Sequence, residues 1–134
     1  MAHFAEINDN NIVLRVIAVD NSDCLDANGN EWEAIGALFC YNLLGGTWKQ
    51  TSYNNNSVRK NYACVNAEYR EDLNAFIHPS PHASWVLNET TCKWEAPKPY
   101  PADGWAEGTN ENGFTYSWNE SVKNWARIGN RRWQ

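Results

Sequence analysis

Alternating hydrophobic and polar residues at the start of the chain predict a β-hairpin. The segments HFAEI and IVLRVIAV flank the polar sequence NDNN. A tight turn centred on residues 9–10 would place two apolar pairs on one face of the hairpin. These pairs are Ile7 with Ile12 and Ala5 with Leu14. We therefore expect residues 3–18 to form two antiparallel strands.

The segment EWEAIGALFCYNLL has apolar residues at helical spacing, which predicts an α-helix. The apolar residues are Trp32, Ile35, Leu38, Phe39 and Leu43. Asn30 can cap this helix, with Glu33 three residues later, and Gly45-Gly46 can end it. We expect the helix to span 31–44 and to be the only long helix of the chain.

Short apolar segments alternate with polar loops after the two glycines, which is typical of a β-meander. We predict that TWKQTSY is a strand and NNNSVRKN a loop, and that residues 62–65 pair with 75–77 around a polar crossing. The fold class that follows is mainly β with one helix, or α+β.

A short tryptophan-flanked unit occurs twice towards the C-terminus. One copy, SWVLNETTCKWEAP, begins at Ser84, and the other, SWNESVKNWARI, begins at Ser117. In each copy an even number of residues separates the tryptophans, so both can face one side of an antiparallel hairpin as a direct cross-strand pair. The pairs are Trp85 with Trp94 and Trp118 with Trp125. We predict two tryptophan hairpins, of which the first spans 84–96.

Prolines change the character of the chain from Pro79 onward. The sequence APKPYPADG is expected to form an extended linker between the two tryptophan hairpins. We predict a β-rich body over 1–97, a linker over 98–104, and a C-terminal segment over 105–134 with the second hairpin and a tail. That hairpin is too small to be stable alone and must pack on another surface.

Composition and charge narrow the range of functions. Eight Trp, six Tyr and a single Met in 134 residues favour a β or α+β protein over a helical one. The net charge is −5, and the one local basic cluster, Arg127 with Arg131 and Arg132, lies near the end, which argues against nucleic-acid binding. No apolar segment is long enough to span a membrane, and MAHFAEI lacks signal-peptide features, so we expect cytoplasmic synthesis and no membrane insertion.

The four cysteines are widely spaced and contain no CxxC pair. They are Cys24, Cys40, Cys64 and Cys92. Two alternatives remain open: buried free thiols, as expected among cytoplasmic reductants, or a disulfide formed after the protein leaves the cell. The candidate disulfide joins Cys24 to Cys40, the nearer pair in sequence.

Candidate chemistry is sparse, and we expect no catalytic residue, no metal and no cofactor. The segment DNSDCLDANGNE resembles a calcium loop only loosely, because aligning Gly29 with the EF-hand glycine puts Cys24 where the first aspartate belongs. A turn that precedes the helix explains the same residues. There is no nucleophile motif and no phosphate-binding glycine loop. If a metal were bound, the first ligands to test would be His78 and His82 for zinc and Asp20, Asp23 and Asp26 for calcium.

The aromatic side chains of the C-terminal half have two alternative roles. Flat aromatic rings can stack on sugars, or they can stabilise short hairpins and contact other subunits. The candidate interaction residues are Trp85, Trp94, Tyr100, Trp105, Tyr116, Trp118 and Trp125.

Several segments together resemble a known protein family. They are MAHFAEI, LFCYNLLGG, TWKQTSYNNNSVRKNYA, AFIHPSPHASWVLNETTCKWEAPKPYPADG and YSWNESVKNW. Over nearly its whole length the chain resembles the small virion structural proteins of tailed phages that infect marine bacteria, notably cyanophages.

The resemblance implies a non-enzymatic accessory component of the virion, made and assembled in the cytoplasm of the host bacterium. Such a component would dock in many copies on other virion proteins, as a head decoration or cement protein or as a peripheral neck or tail component. The alternative is a tail-associated module that recognises host-surface carbohydrate.

Overall fold

The computed structural model describes residues 1–52 and 58–131. The regular elements are β1 (Ala2–Ile7), β2 (Val13–Val19), a 3-10 turn (Asn21–Cys24), α1 (Glu33–Leu44), β3 (Thr47–Thr51), β4 (Glu68–Arg70), β5 (Ala75–Ile77), β6 (Val86–Asn88), β7 (Lys93–Glu95), β8 (Phe114–Asn119) and β9 (Asn124–Arg131). The predicted fold class, mainly β with one α-helix, is confirmed. The first half of the predicted loop NNNSVRKN, residues 54–57, and Arg132 of the basic cluster lie outside the described residues.

The chain divides into two compact units. The first comprises Met1–Pro79 with Glu89–Lys93, and the second comprises Ser80–Asn88 with Trp94–Gln134. This division groups most of the first tryptophan hairpin and the segment 98–104 with the second hairpin, whereas the sequence suggested a boundary at 98–104.

The first unit contains a three-stranded antiparallel sheet in the order β2-β1-β3. The N-terminal hairpin is confirmed, but its predicted register is wrong, since Ile7 pairs with Val13 and Ala5 with Val16. The reason lies in the connecting loop, where Oδ1 of Asn8 accepts hydrogen bonds from two backbone amides. These are the amides of Asn10 and Ile12, at 2.8 and 3.0 Å. The longer loop leaves Leu14 exposed.

Helix α1 begins two residues later than predicted, at Glu33. The expected Asn30 cap is wrong: Trp32 takes the cap position without a side-chain hydrogen bond. The left-handed Gly45 (φ 71°) ends the helix as predicted, and its amide donates to the carbonyl of Tyr41.

The buried face of α1 differs from the predicted apolar stripe. The buried helix residues are Gly36 and Cys40. At Gly36 the helix packs so closely on the sheet that a methyl group would lie only 2.3 Å from the ring of Phe4. The sheet can approach this closely only where the helix has no side chain. Trp32, Leu38 and Leu43 of the predicted stripe are exposed, while Ile35 and Phe39 are half-buried.

Two hydrophobic clusters form the core of the first unit. One comprises Ala5, Ile7, Val13, Ala63, Ala67, Tyr69 and Phe76. The other comprises Ala2, Phe4, Val19, Cys24, Cys40 and Trp48. Since alternate residues of β1 contribute to both clusters, this central strand connects them.

The predicted pairing of 62–65 with 75–77 is wrong, and the partner of β5 is β4. The segment 62–65 is flanked on both sides by left-handed residues, Asn61 and Asn66 (φ 62° and 73°), which turn the chain and prevent a longer strand here. Its groups bond elsewhere: the amide of Asn66 donates to the carbonyl of Val13, and the Asn61 side chain donates to two carbonyls.

Three hairpins, β4–β5, β6–β7 and β8–β9, share one type of loop. Each loop has four residues, begins with glutamate and ends with a left-handed residue other than glycine. The loops are EDLN at 71–74, ETTC at 89–92 and ESVK at 120–123, with φ of 50° at Asn74, 58° at Cys92 and 52° at Lys123. The repeated unit seen in the sequence therefore has a third copy, which lacks the tryptophans.

Candidate interaction surfaces

An aromatic cluster forms the centre of the second unit. Trp118 and Trp125 are directly paired across β8 and β9, as predicted, with ring centroids 5.4 Å apart and planes at 79°. Trp85 contacts both rings, at 5.9 and 6.2 Å. Trp118 is only 9% exposed. The cluster therefore supplies the apolar core that a pair of short hairpins would otherwise lack.

The predicted cross-strand pair of Trp85 and Trp94 is wrong, because β6 begins one residue after Trp85. The two loops explain the difference. In each copy the loop begins at the glutamate of an Asn-Glu pair. The residue two positions before that glutamate is Leu87 in the first copy and Trp118 in the second. Trp85 is therefore offset by two residues, outside the strand ladder.

Glu120, at the start of the last hairpin loop, joins the two tryptophan copies within the second unit. Its carboxylate accepts hydrogen bonds from Trp118 Nε1 (2.8 Å), from Ser84 Oγ (2.7 Å) and from the Ser84 amide (3.0 Å). These bonds, first that of Trp118 and then those of Ser84, hold the pKa of Glu120 below its usual value.

The proline-rich segment packs on the same cluster. Trp125 Nε1 donates to the carbonyl of Lys98 at 3.0 Å, and the ring of Tyr100 lies edge-on to Trp125 at 4.9 Å. The Tyr100 hydroxyl donates to the carbonyl of Trp105 at 2.9 Å. The ring of Tyr100 packs closely on Gly104, where a methyl group would come within 2.4 Å of the ring. The expected linker is thus part of the folded unit.

The remaining candidate aromatic residues are Tyr116, Trp94 and Trp105. Tyr116 contacts Tyr100 at 6.1 Å and donates its hydroxyl to Asp103 at 2.9 Å. Trp94 lies in β7 and is half-buried, as is Trp105, whose amide donates to the carbonyl of Phe114. Of the seven predicted interaction residues, the structure brings five into one cluster: Trp85, Tyr100, Tyr116, Trp118 and Trp125.

An open groove with a volume of about 500 Å³ lies beside this cluster, within the second unit. Three aromatic residues line it together with the chain from Glu95 onward. The lining residues are Trp85, Tyr100, Trp125, Glu95, Lys98 and the small or proline residues between them. Tyr100 is 41% exposed although its position is fixed by packing and by a hydrogen bond.

A second surface lies on α1 in the first unit and was missed in the sequence. Its residues Ala34, Leu38, Tyr41 and Leu44 are spaced four, three and three residues apart and form one exposed stripe, which we call the α1 surface. Its three large side chains are between 42% and 57% exposed. One feature of the sequence could have revealed this surface, namely that residues 34–44 include no charged residue.

Two of the three aspartates considered for calcium binding, Asp20 and Asp26, accept hydrogen bonds from their own loop. Asp26 accepts hydrogen bonds from the amides of Asn30 and Asn28 and from Trp32 Nε1, and these bonds, that of Asn30 above all, lower the pKa of Asp26. Asp20 accepts from Ser22. Within 1–52 and 58–131, no group of three or more His, Cys, Asp or Glu side chains is arranged to hold a metal ion.

The two histidines considered for zinc also have partners. His78 Nε2 lies 2.9 Å from the carbonyl of Tyr62. The ring of His82 packs against Trp85 at 5.4 Å.

All four cysteines are free thiols in the structure, so it contains no bond between Cys24 and Cys40. Both residues are buried in the same core cluster. Burial, and to a smaller extent the neighbouring Cys24, raises the pKa of Cys40 to about 11. Cys92 is also buried, whereas Cys64 is half-buried.

No helix in the described part of the chain has the length and apolar character needed to cross a membrane. Comparison of the chain with protein-family models, with curated proteins and with solved structures gave no significant match.

Proposed function

We propose that this protein is a non-enzymatic structural component of a bacteriophage virion that docks on other particle proteins. The observation that carries this proposal is the α1 surface, with its exposed Leu38, Tyr41 and Leu44. The sequence resemblance described above supports the same function.

A helix that is apolar on all sides is normally buried in a larger structure. In α1 one side packs on the sheet through Gly36 and Cys40, and the opposite side carries the α1 surface. Covering large apolar side chains yields roughly 25 cal/mol per Å² of area removed from water. A partner protein is therefore the expected cover for this side of the helix.

Charge favours this location for a protein contact. The chain has a net charge of −5, yet the only charged residue of α1 is Glu33, which is paired with Arg59. A partner can cover the stripe without desolvating an unpaired charge, a step that weakens many interfaces. Tyr41 is also of a residue type enriched among the contacts that dominate binding energy.

The size of the α1 surface indicates what kind of contact it makes. The stripe from residue 34 to 44 is about 15 Å long, at about 1.5 Å per residue. Stable interfaces need roughly 800 Å² from each partner, which is more than one side of a short helix provides. The stripe would therefore be the central anchor of a contact that also involves its surroundings, as fits an accessory protein bound to a larger particle.

The test is incorporation into virus particles. Particles of the phage that encodes this chain should contain it at a fixed copy number, measured by quantitative mass spectrometry after purification. Hundreds of copies would indicate a head component, and far fewer a neck or tail component. Absence from purified particles would contradict the proposal.

A charge-introducing variant tests the role of the α1 surface. Leu38→Glu combined with Tyr41→Glu keeps good helix formers in α1, and should reduce incorporation by about ten-fold or more. The control is Val65→Glu, which charges an equally exposed apolar side chain of the first unit outside α1. Both variants should retain the wild-type circular dichroism spectrum. Equal incorporation of the two would contradict the role of α1.

A further inference from the structure

The groove of the second unit has the size and lining of a small-molecule site. Its volume of about 500 Å³ lies within the range of roughly 300–1,000 Å³ that is usual for ligand pockets. Three of its eight lining residues are aromatic, and all of its lining residues belong to the second unit. The α1 surface belongs to the first unit, so a role for the groove does not depend on the docking function.

The aromatic part of the groove is organised before any ligand arrives. Trp125 is fixed by its hydrogen bond to Lys98 and by its cross-strand pairing with Trp118. Tyr100 is fixed by its hydrogen bond to Trp105 and by contact with Gly104. Rings that are already immobile lose little conformational entropy on binding. An exposed ring held in this way is suited to receive the apolar face of a ligand.

Two charged residues of opposite sign complete the lining. The carboxylate of Glu95 accepts hydrogen bonds and the ammonium of Lys98 donates them. An anionic or cationic ligand would meet one favourable and one unfavourable charge. A neutral ligand with several hydroxyl groups can donate to Glu95 and accept from Lys98 at the same time, while its C–H face covers an aromatic ring. We propose that this groove binds a neutral saccharide.

Proline-rich peptides also bind aromatic grooves, but this groove is less suited to them. Such peptides lack many backbone donors and offer carbonyl groups, which need a donor from the protein. The indole N–H of Trp125 already donates to Lys98, inside the protein's own proline-rich segment. The internal segment thus occupies this indole donor, which a peptide carbonyl could otherwise use.

The test is binding of the full chain to an array of neutral and anionic glycans together with a proline-rich peptide. Binding to at least one neutral glycan is expected, and titration of that glycan should be followed by tryptophan fluorescence. Tyr100→Ala should weaken the affinity by about ten-fold, given the usual strength of contacts with aromatic rings. The control is Trp32→Ala, which removes an exposed aromatic ring of the first unit outside both proposed surfaces and should leave the affinity unchanged.

Glu95→Gln and Lys98→Ala keep the aromatic rings and test the polar contacts, and each should also weaken binding. They replace Tyr100→Ala if that variant loses the native near-ultraviolet circular dichroism spectrum. Failure to bind any neutral glycan, binding only of anionic glycans or of the peptide, or equal losses in the groove variants and in Trp32→Ala would overturn the proposal.

Discussion

The guanidinium of Arg59 binds the carboxylate of Glu33 at two points, with 2.5 Å between Nη1 and Oε2 and 3.0 Å between Nη2 and Oε1. Arg59 Nη1 also donates to the carbonyl of Gln50, and the Gln50 amide donates to Glu33. The guanidinium lies 5.1 Å from the ring of Tyr69. One charged pair therefore joins the start of α1, the edge strand β3 and the core.

Removing one charge of this pair should destabilise the first unit. Arg59 is only 9% exposed, so Glu33→Gln would leave a largely buried guanidinium without its counter-charge. We expect a loss of about 2 kcal/mol in the free energy of unfolding, measured by urea denaturation. The control is Asp72→Asn, which breaks the more exposed ion pair with Arg70 and should cost well under about 1 kcal/mol. Similar losses in both variants would contradict the importance of the buried pair.

The same pair predicts a pH dependence of stability. Burial by itself would raise the pKa of Glu33, but hydrogen bonds from Arg59 and from the Gln50 amide outweigh burial and hold the pKa below its ordinary value of 4.5. The native state thus favours the ionised carboxylate. Its contribution to stability is complete above pH 4.5 and is lost as the pH falls through the lowered pKa.

Urea midpoints measured from pH 7 down to pH 3 check this dependence. The wild type should lose more stability on acidification than Glu33→Gln, and the two curves should converge at the acid end. Parallel curves over the whole range would show that Glu33 titrates normally in the folded protein.

A methyl group at Gly36 should destabilise the protein although alanine is the better helix former. Its carbon atom would lie 2.3 Å from Phe4 and 2.9 Å from Cys24 Sγ. The gain in helix propensity is about 1 kcal/mol, and overpacking a tight core typically costs about 1–3 kcal/mol. Thermal denaturation should show a lower Tm for Gly36→Ala. Gly129→Ala is the control, since its nearest neighbour is Thr115 Cβ at 4.0 Å, and its Tm should change little.

Glycine should be favourable at the end of the last hairpin loop. Lys123 has a left-handed backbone (φ 52°), which costs a residue with a side chain roughly 1–2 kcal/mol relative to glycine. Part of this gain is offset by the greater freedom of glycine in the unfolded chain, so we expect Lys123→Gly to stabilise the second unit by about 0.5 kcal/mol. Val122→Gly, at the preceding exposed position, should lower stability instead. Hydrogen exchange of the β8 and β9 amides provides the measurement.

The thiols should differ in reactivity with iodoacetamide at pH 8. Cys64 is half-buried, whereas the other three cysteines are buried, and burial raises the pKa of Cys40 to about 11. Because the thiolate is the reactive form, Cys64 should be labelled first and Cys40 among the slowest. Peptide mapping at successive times measures the order. Rapid labelling of Cys40 would contradict its place in the core.

Sequence patterns predicted the type of element better than the contacts between elements. The alternation around residues 9–10 predicted the N-terminal hairpin, but its register depends on hydrogen bonds made by the Asn8 side chain, which hydrophobicity does not reveal. Helical spacing predicted α1, but the largest apolar residues were assigned to the core. Close packing on Phe4 selects the smallest residue, Gly36, and so directs several large ones outward.

The aromatic cluster shows the same limit. The even number of residues between Trp118 and Trp125 predicted their pairing, because the pairing of β8 with β9 is enough to bring the two side chains together. It failed for Trp85, whose contacts depend on two hairpins packing within one unit. The groove could not be predicted, since it arises only when the segment after Glu95 folds back onto Trp125.

The shared four-residue loops have a consequence for the order of folding. Strands joined by such a loop are already neighbours in sequence, and hairpins form in roughly 1–10 μs because little chain entropy is lost in closing them. The β1–β3 pairing, in contrast, must close a loop that contains β2 and α1. When the denatured chain refolds, each of these hairpins can therefore close locally, while the first sheet must wait for β3 to reach β1. The rate-limiting step of folding should accordingly lie in the N-terminal sheet and not in the tryptophan-rich region.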